Sequence, residues 1–371
     1  MKKSKVLLVG PKINISNKKS YGGGTGGYTR NMSVYLKFFK FSDIDIIPCF
    51  HTINGEYSLG VFTKPIRLIA DICNFFIKYF QHKIYGVHIL AQYRGAVMRE
   101  FFIVLISTIL KTPVLYEIKA GSFKNSYIDS GIIYKKAINF IIKNSKIILI
   151  EGKSDETFLK ENFNKDSVYF PNVVPVDEIP KLIEDKFQND ILKVLFVGYA
   201  YLGKGIVELL DACQQLALNG TKVSLTIVGE IHDDIKIYIN HLNVNDNLIL
   251  YSKGKLHHDK VLHEFKLNDV YCYPSKHPGE GHNNTINEAL MHEMVVCSTL
   301  NGFLGSFLNE ENSYPITNLS AKNIELRLTE IKDDIITAKL KASKGRQLIL
   351  AQFNTDKAKE ILEKKYHQLF K

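Results

Sequence analysis

Lys5–Gly10 reads KVLLVG, and far downstream Lys193–Gly198 reads KVLFVG. Each is an unbroken apolar run closed by glycine, the pattern of a first strand buried on both faces of a parallel sheet. Around each run, short apolar segments alternate with longer amphipathic ones. The first series places strands at Lys5–Val9, Ile44–Ile47, Val87–Leu90, Pro113–Glu117, Lys146–Ile150 and Val168–Phe170, with helices over Thr29–Phe39, Ile66–Gln81, Gly95–Leu110 and Ile132–Lys143 between them. After a polar stretch, Asp177–Asp190, the second places strands at Lys193–Val197, Val223–Val228, Leu248–Tyr251, Val270–Tyr273, Val295–Ser298 and near Tyr314, with helices such as Ile206–Ala217 and Thr285–His292. The repetition predicts an α/β protein of two Rossmann-like domains, residues 1–175 and 176–350, followed by a C-terminal helix over 351–371 that is expected to pack back toward the first domain. In that helix Ala358, Ile361, Leu362, Tyr366 and Leu369 share one face. Ligands of such sheets bind at the carboxyl ends of the strands, so two domains facing one another place the expected site in the cleft between them.

Composition narrows the classes. The chain has 371 residues, 45% hydrophobic and 23% charged, enough for two cores. The most apolar stretch, Phe101–Leu110, is far short of the ~20 residues of a bilayer-spanning helix and reads as a buried helix. Val6–Val9 is too short for a signal-peptide core, so no export is expected. Five scattered cysteines without a C-x-x-C pair suit a reducing cytoplasm. Residues 1–175 hold 25 Lys+Arg against 12 Asp+Glu, and residues 176–371 hold 23 against 26, so the net charge of +10 belongs to the first half. Such a half suits nucleic acid, an anionic membrane surface or a phosphate-bearing substrate. With no Trp and no RNP-like string, nucleic acid is the poorest of the three.

The richest chemistry lies in DVYCYPSKHPGEGHNNTINEALMHEMVVCST, Asp269–Thr299. A strand ending at Tyr273 runs into a Pro/Gly loop and then a helix whose opening amides, near Asn283, Asn284 and Thr285, are expected to be free for a phosphate. Glu280 sits in the loop beside Gly281, and Glu288 lies four residues after Asn284, leaning back toward the helix start. Carboxylates there would accept hydrogen bonds from sugar and ribose hydroxyls. Near the N-terminus, the glycines around Gly23, Gly24 and Gly26, followed by Arg30, form a loop where backbone can approach a ligand closely. The loop lacks the G-x-G-x-x-G and Gly-Lys-Ser/Thr arrangements, which sets aside a nicotinamide enzyme and a P-loop NTPase. His257, His258 and His263 match no usual zinc spacing, so no metal is expected.

Pro274-Ser275, Glu280-Gly281 and Glu288-Ala289-Leu290 resemble the PS…EG…EA segment of retaining glycosyltransferase family 4, the glycosyl transferases group 1. Weaker matches fall in the family's order: Phe170-Pro171-Asn172-Val173, Phe196-Val197-Gly198 with Lys204-Gly205, and Ile227-Val228-Gly229-Glu230. The resemblance covers nearly the whole chain and implies the GT-B fold, no cofactor and metal-independent transfer of a sugar from a UDP- or GDP-linked donor with retention of configuration. It implies donor-binding roles for Glu280, Glu288, Gly198 and Gly229, a diphosphate-neutralising role for Lys204, and a glycine loop bordering phosphate and acceptor. The acceptor implied is a glycan or a lipid-linked sugar in cell-surface polysaccharide synthesis, with peripheral contact at the inner face of an anionic membrane. Two departures stand out: Lys119 takes the place of a His that contacts the transferred sugar, and Tyr199 that of an Arg on the diphosphate. They leave a competing reading, a nucleotide-sugar-binding scaffold impaired in transfer. An epimerase or phosphorylase on the same fold ranks below both.

Overall fold

The computed structural model describes residues 3–13, 26–52, 63–92, 94–119, 121–242 and 245–371. They divide into two compact units. The first takes the opening strand, Tyr28–Asn172 and Thr355–Lys371; the second takes Val173–Asn354.

In the first unit six strands, β1 (Ser4–Pro11), β2 (Ile44–His51), β3 (Ile84–Ala91), β4 (Val114–Ile118), β5 (Ile147–Ile150) and β6 (Val168–Tyr169), pair in parallel in the order β2-β1-β3-β4-β5-β6. Helices α1 (Gly26–Phe38), α2 (Thr63–Gln81), α3 (Val97–Ile109), α4 (Phe123–Ile128), α5 (Ile132–Asn144) and α6 (Ser154–Phe163) connect them. β4 is buried at every residue, as an apolar run in the middle of a covered sheet must be. The helix expected to be wholly buried over Phe101–Leu110 is buried on one side only: Ile103 and Val104 face the core, while Ile109 points outward at 69% exposure.

The second unit repeats the plan. Strands β7 (Leu192–Val197), β8 (Val223–Val228), β9 (Leu248–Gly254), β10 (Val270–Tyr273), β11 (Val295–Thr299) and β12 (Tyr314–Ile316) lie in the order β12-β11-β10-β7-β8-β9, all parallel. Around them run α7 (Ile206–Leu218), α8 (Asp233–His241), α9 (His258–Leu267), α10 (Asn284–Met291), α11 (Ala321–Asp333) and α12 (Ile335–Ala351). From β7 the chain first winds outward through β8 and β9, then returns to lay β10 on the opposite side of β7. That reversal opens a crevice at the carboxyl ends of β7 and β10, where ligands of doubly wound sheets bind.

The last helix, α13 (Thr355–Phe370), belongs to the first unit. Its Leu362, Tyr366 and Leu369 are fully buried, and Leu369 packs so tightly on Gly86 of β3 that a Cβ there would lie 2.6 Å from its Cδ2. The C-terminal helix expected to return to the first domain does so. All five cysteines are free thiols, and among the described residues no helix is long and apolar enough to cross a membrane.

Candidate active site

The crevice of the second unit is built by two loops locked to each other. One follows β7 and carries Gly198, Tyr199 and Lys204; the other follows β10 and carries Ser275, Glu280 and Gly281. Lys276 N–H donates to Gly203 O at 2.9 Å. Gly205, at φ +67°, passes so close to Pro274 that a Cβ would sit 2.0 Å from the Pro274 carbonyl oxygen, so only glycine fits. The same holds at Gly229, φ +130°, whose missing Cβ would meet Gly198 O at 2.0 Å where the loops after β7 and β8 cross.

This scaffold brings Lys204 and Glu280, 76 residues apart, into one ion pair. Glu280 is 8% exposed, and Ser275 Oγ also donates to it. Tyr273 OH lies 3.3 Å from both its carboxylate oxygens, and Lys204 Nζ donates to that hydroxyl at 2.6 Å. Two neutral donors therefore hold the carboxylate in place independently of the lysine. The ammonium, on a flexible stem, is free to turn toward an anion while Glu280 stays oriented. Behind the loop, His282 is 1% exposed and wedged between Phe307 and Phe353, with ring centroids 4.3 and 4.7 Å away. It anchors Gly281 to the core, a role the sequence gave no sign of.

The start of α10 differs from expectation. The Thr285 amide is not free: Asn283 caps it, Oδ1 accepting from Thr285 N at 2.8 Å and from Thr285 Oγ1 at 2.7 Å. Thr285 Oγ1 also lies 2.6 Å from Tyr271 OH. The capping residue competes with a phosphate for the first-turn amide, as Asn commonly does. Asn284 opens the helix half-buried, and Glu288 is 1% exposed within it. Tyr199, in the place of the expected Arg, stacks obliquely on Tyr201 at 5.5 Å and meets the His232 ring edge-on at 6.3 Å. Tyr199 thus puts an aromatic ring where relatives in the resembled family carry an Arg, as the sequence reading has it.

The first unit has a polar centre of its own at the carboxyl edge of its sheet. Lys119 Nζ pairs with Glu117 Oε1 at 2.9 Å and donates to Phe170 O at 3.2 Å. Glu117 is fully buried; His88 Nε2 lies 2.9 Å from its other oxygen, which also accepts from Tyr35 OH. His88 Nδ1 in turn lies 2.8 Å from Tyr366 OH of α13. Burial alone would raise the Glu117 pKa, but the Lys119 charge and the bonds from His88 and Tyr35 outweigh it and hold the carboxyl down at about 2. Lys119 is therefore braced against a buried carboxylate. Arg30 lies in α1 at 8% exposure, and Gly26 is the first residue of that helix; Gly23 and Gly24 lie outside the described residues. His258 Nε2 approaches Glu178 Oε2 at 3.1 Å and His257 Nδ1 approaches Asp259 Oδ1 at 2.6 Å, so these histidines pair separately with carboxylates.

With that geometry in view, residues 179–347 match the family model described as Glycosyl transferases group 1. That match covers most of the second unit's main segment, Val173–Asn354. Lys204, Glu280 and Glu288 all lie inside the matched stretch. The chain is 24% identical over 262 residues to an uncharacterized glycosyltransferase of Methanocaldococcus jannaschii, covering 67% of this chain and 64% of that protein. It is 21% identical over 251 residues to the capsular polysaccharide biosynthesis glycosyltransferase CapM of Staphylococcus aureus, covering 66% and 61%. The matches thus span under two-thirds of these relatives' own length. Among solved structures, the sucrose-phosphate synthase of Thermosynechococcus elongatus aligns over 99% of both chains with a TM-score of 0.74 at 15% identity. HepE of Anabaena, in complex with UDP and glucose, aligns over 98% and 99% with a TM-score of 0.67 at 11% identity. At such identities the likeness speaks for the fold alone, and with the two six-stranded parallel sheets it makes this a GT-B protein.

Proposed function

We propose that the chain is a retaining glycosyltransferase that moves a sugar from a UDP- or GDP-linked donor, held by the second unit, to a hydroxyl of a glycan or lipid-linked acceptor. The observation that carries this reading is the Lys204–Glu280 pair at the carboxyl ends of β7 and β10. A nucleotide sugar offers both halves of the pair a better partner: its diphosphate takes the ammonium, and its sugar hydroxyls donate to the carboxylate. Glu288 is assigned to the ribose. The bond from the anomeric carbon to the diphosphate oxygen breaks with its electron pair passing to phosphate. The acceptor oxygen bonds to the same face, and its proton passes to the leaving phosphate oxygen. Lys204 stabilises the charge that develops there, and no metal is assigned a part. Lys119 is the cationic donor at the carboxyl edge of the unit assigned to the acceptor.

The kinship with a protein of capsular polysaccharide biosynthesis supports a place in cell-surface glycan assembly, and five free thiols suit a reducing, cytoplasmic compartment. Calorimetric titration with UDP-glucose and GDP-mannose in EDTA tests the donor site. One of them should bind, unaffected by chelator, and Lys204→Met should weaken binding at least tenfold. Binding to neither, or binding indifferent to Lys204→Met, sinks the reading. Tight binding with no turnover on any lipid-linked or glycan acceptor moves the scaffold reading ahead.

A further inference from the structure

On α13, Glu363 and His367 stand one turn apart and share a face of the helix. Asp43, the residue just before β2, lies against them. Two carboxylate oxygens and one imidazole nitrogen, one atom from each residue, all lie within 4.8 Å of one another. Elements from opposite ends of the chain thus gather three metal-ligating groups at the amino edge of the first sheet, the edge opposite Lys119. The backbone beneath them is tied down. Ser4 N–H donates to Asp43 O at 2.8 Å where β1 and β2 begin to pair. Phe41, 5% exposed, meets the fully buried Tyr366 ring of α13 edge-on at 5.7 Å. Fixed backbone on both sides is what a preorganised site needs.

The pairing around this cluster is not that of an ordinary charged surface. α13 is rich in lysine, yet Lys357 goes to Glu360 at 3.1 Å, Lys365 to Gln368 at 3.0 Å, and Lys359 lies over the Phe41 ring at 5.9 Å. The half-buried Glu363 carboxylate has no hydrogen-bond or ion-pair partner among the described residues. His367 Nε2 stands 3.6 Å from Asp43 Oδ2. That is too far for a hydrogen bond but close to the roughly 3.4 Å that separates two ligands of a tetrahedral ion ~2.1 Å from each. Two carboxylates so near each other repel, and a dication between them removes the repulsion. Calcium and magnesium favour oxygen ligands alone, whereas an imidazole beside carboxylates suits zinc, with water completing the shell.

We propose that Asp43, Glu363 and His367 form a Zn²⁺ site that fastens α13 to the start of β2. The ion would hold the last helix against the sheet it covers, and it touches no group assigned to sugar transfer. The full chain, stripped with chelator and exchanged into chelator-free buffer near neutral pH, is titrated calorimetrically with Zn²⁺ and with Mg²⁺. The wild type should bind Zn²⁺ at least tenfold more tightly than Mg²⁺. Asp43→Asn, Glu363→Gln and His367→Ala should each weaken Zn²⁺ binding at least tenfold. Cys73→Ser, which removes the exposed thiol, should leave it unchanged. All four variants should keep wild-type circular dichroism and nucleotide-sugar titrations. Zn²⁺ should slow hydrogen exchange of α13 amides in the wild type but not in His367→Ala. No binding at micromolar Zn²⁺, Mg²⁺ bound as tightly, Zn²⁺ binding that survives His367→Ala, or binding lost in Cys73→Ser would each overturn the proposal.

Discussion

Glu117 illustrates how much can hang on one buried carboxylate. Its neighbours come from α1, β3 and the end of β4, and together they hold it ionised where burial alone would neutralise it. The folded pKa of about 2 lies below the ordinary 4.5. A depressed carboxyl stabilises the fold above its unfolded pKa, and that stability is lost as pH falls from about 4.5 through about 2. The expected size is on the order of 3 kcal/mol at neutral pH, the range in which removing one partner of a buried pair falls. Glu117→Gln should therefore unfold at clearly lower urea than wild type at pH 7, and the gap should close by pH 2. Equal midpoints at pH 7 would show that the pair contributes nothing net. In the sequence Glu117 and Lys119 stand two apart, the spacing of one strand face, and that was the only available sign. His88, Tyr35 and Tyr366 could not be linked to them, because residues so far apart in sequence meet only through tertiary packing. Lys204 and Glu280 were legible because each sits in a short motif just past an apolar strand.

At the scale of elements, strands were read most closely. Val223–Val228 and Val270–Tyr273 fall where the apolar runs put them, since strands covered on both faces leave no doubt about register. Helices with mixed faces were harder. α6, α11 and α12 are hard to see in the sequence because their apolar positions are diluted by charged and polar residues, and the cap on Thr285 is hidden because an Asn at that point suits a ligand-binding turn as well as a helix cap. α13 was read correctly, and its packing predicts how it behaves. Leu369→Ala removes a fully buried side chain from the surface of β3, which should cost about 2–5 kcal/mol. The loss should appear in unfolding followed by hydrogen exchange at β3 amides, with the amides of β7 and β8 unchanged. Equal loss of protection in both sheets would mean that the helix supports more than the first unit.

On the scale of the whole molecule, two units with separate cores and opposite charge balance should not respond alike to a ligand. A nucleotide sugar held by the second unit stabilises that unit by mass action, by about 2.7 kcal/mol at a hundredfold excess over its dissociation constant. In a calorimetric scan the transition of the second unit should rise while that of the first stays put. Lys204→Met should erase the rise. If the first transition moves instead, the donor lies in the first unit and the assignment of the crevice is wrong.

The excursion of the chain out of the first unit and back into it through α13 bears on how the protein is made. Every strand of the second unit lies in one continuous segment, Val173–Asn354, which can close its sheet as soon as it leaves the ribosome. The first unit is begun earlier but finished later, because Tyr366 and Leu369, which cover β3, are synthesised after the entire second unit. During translation the order of completion is therefore the reverse of the order of synthesis. Throughout that interval the half-built first unit carries an uncovered patch of sheet that a chaperone or a protease would meet before its own helix does.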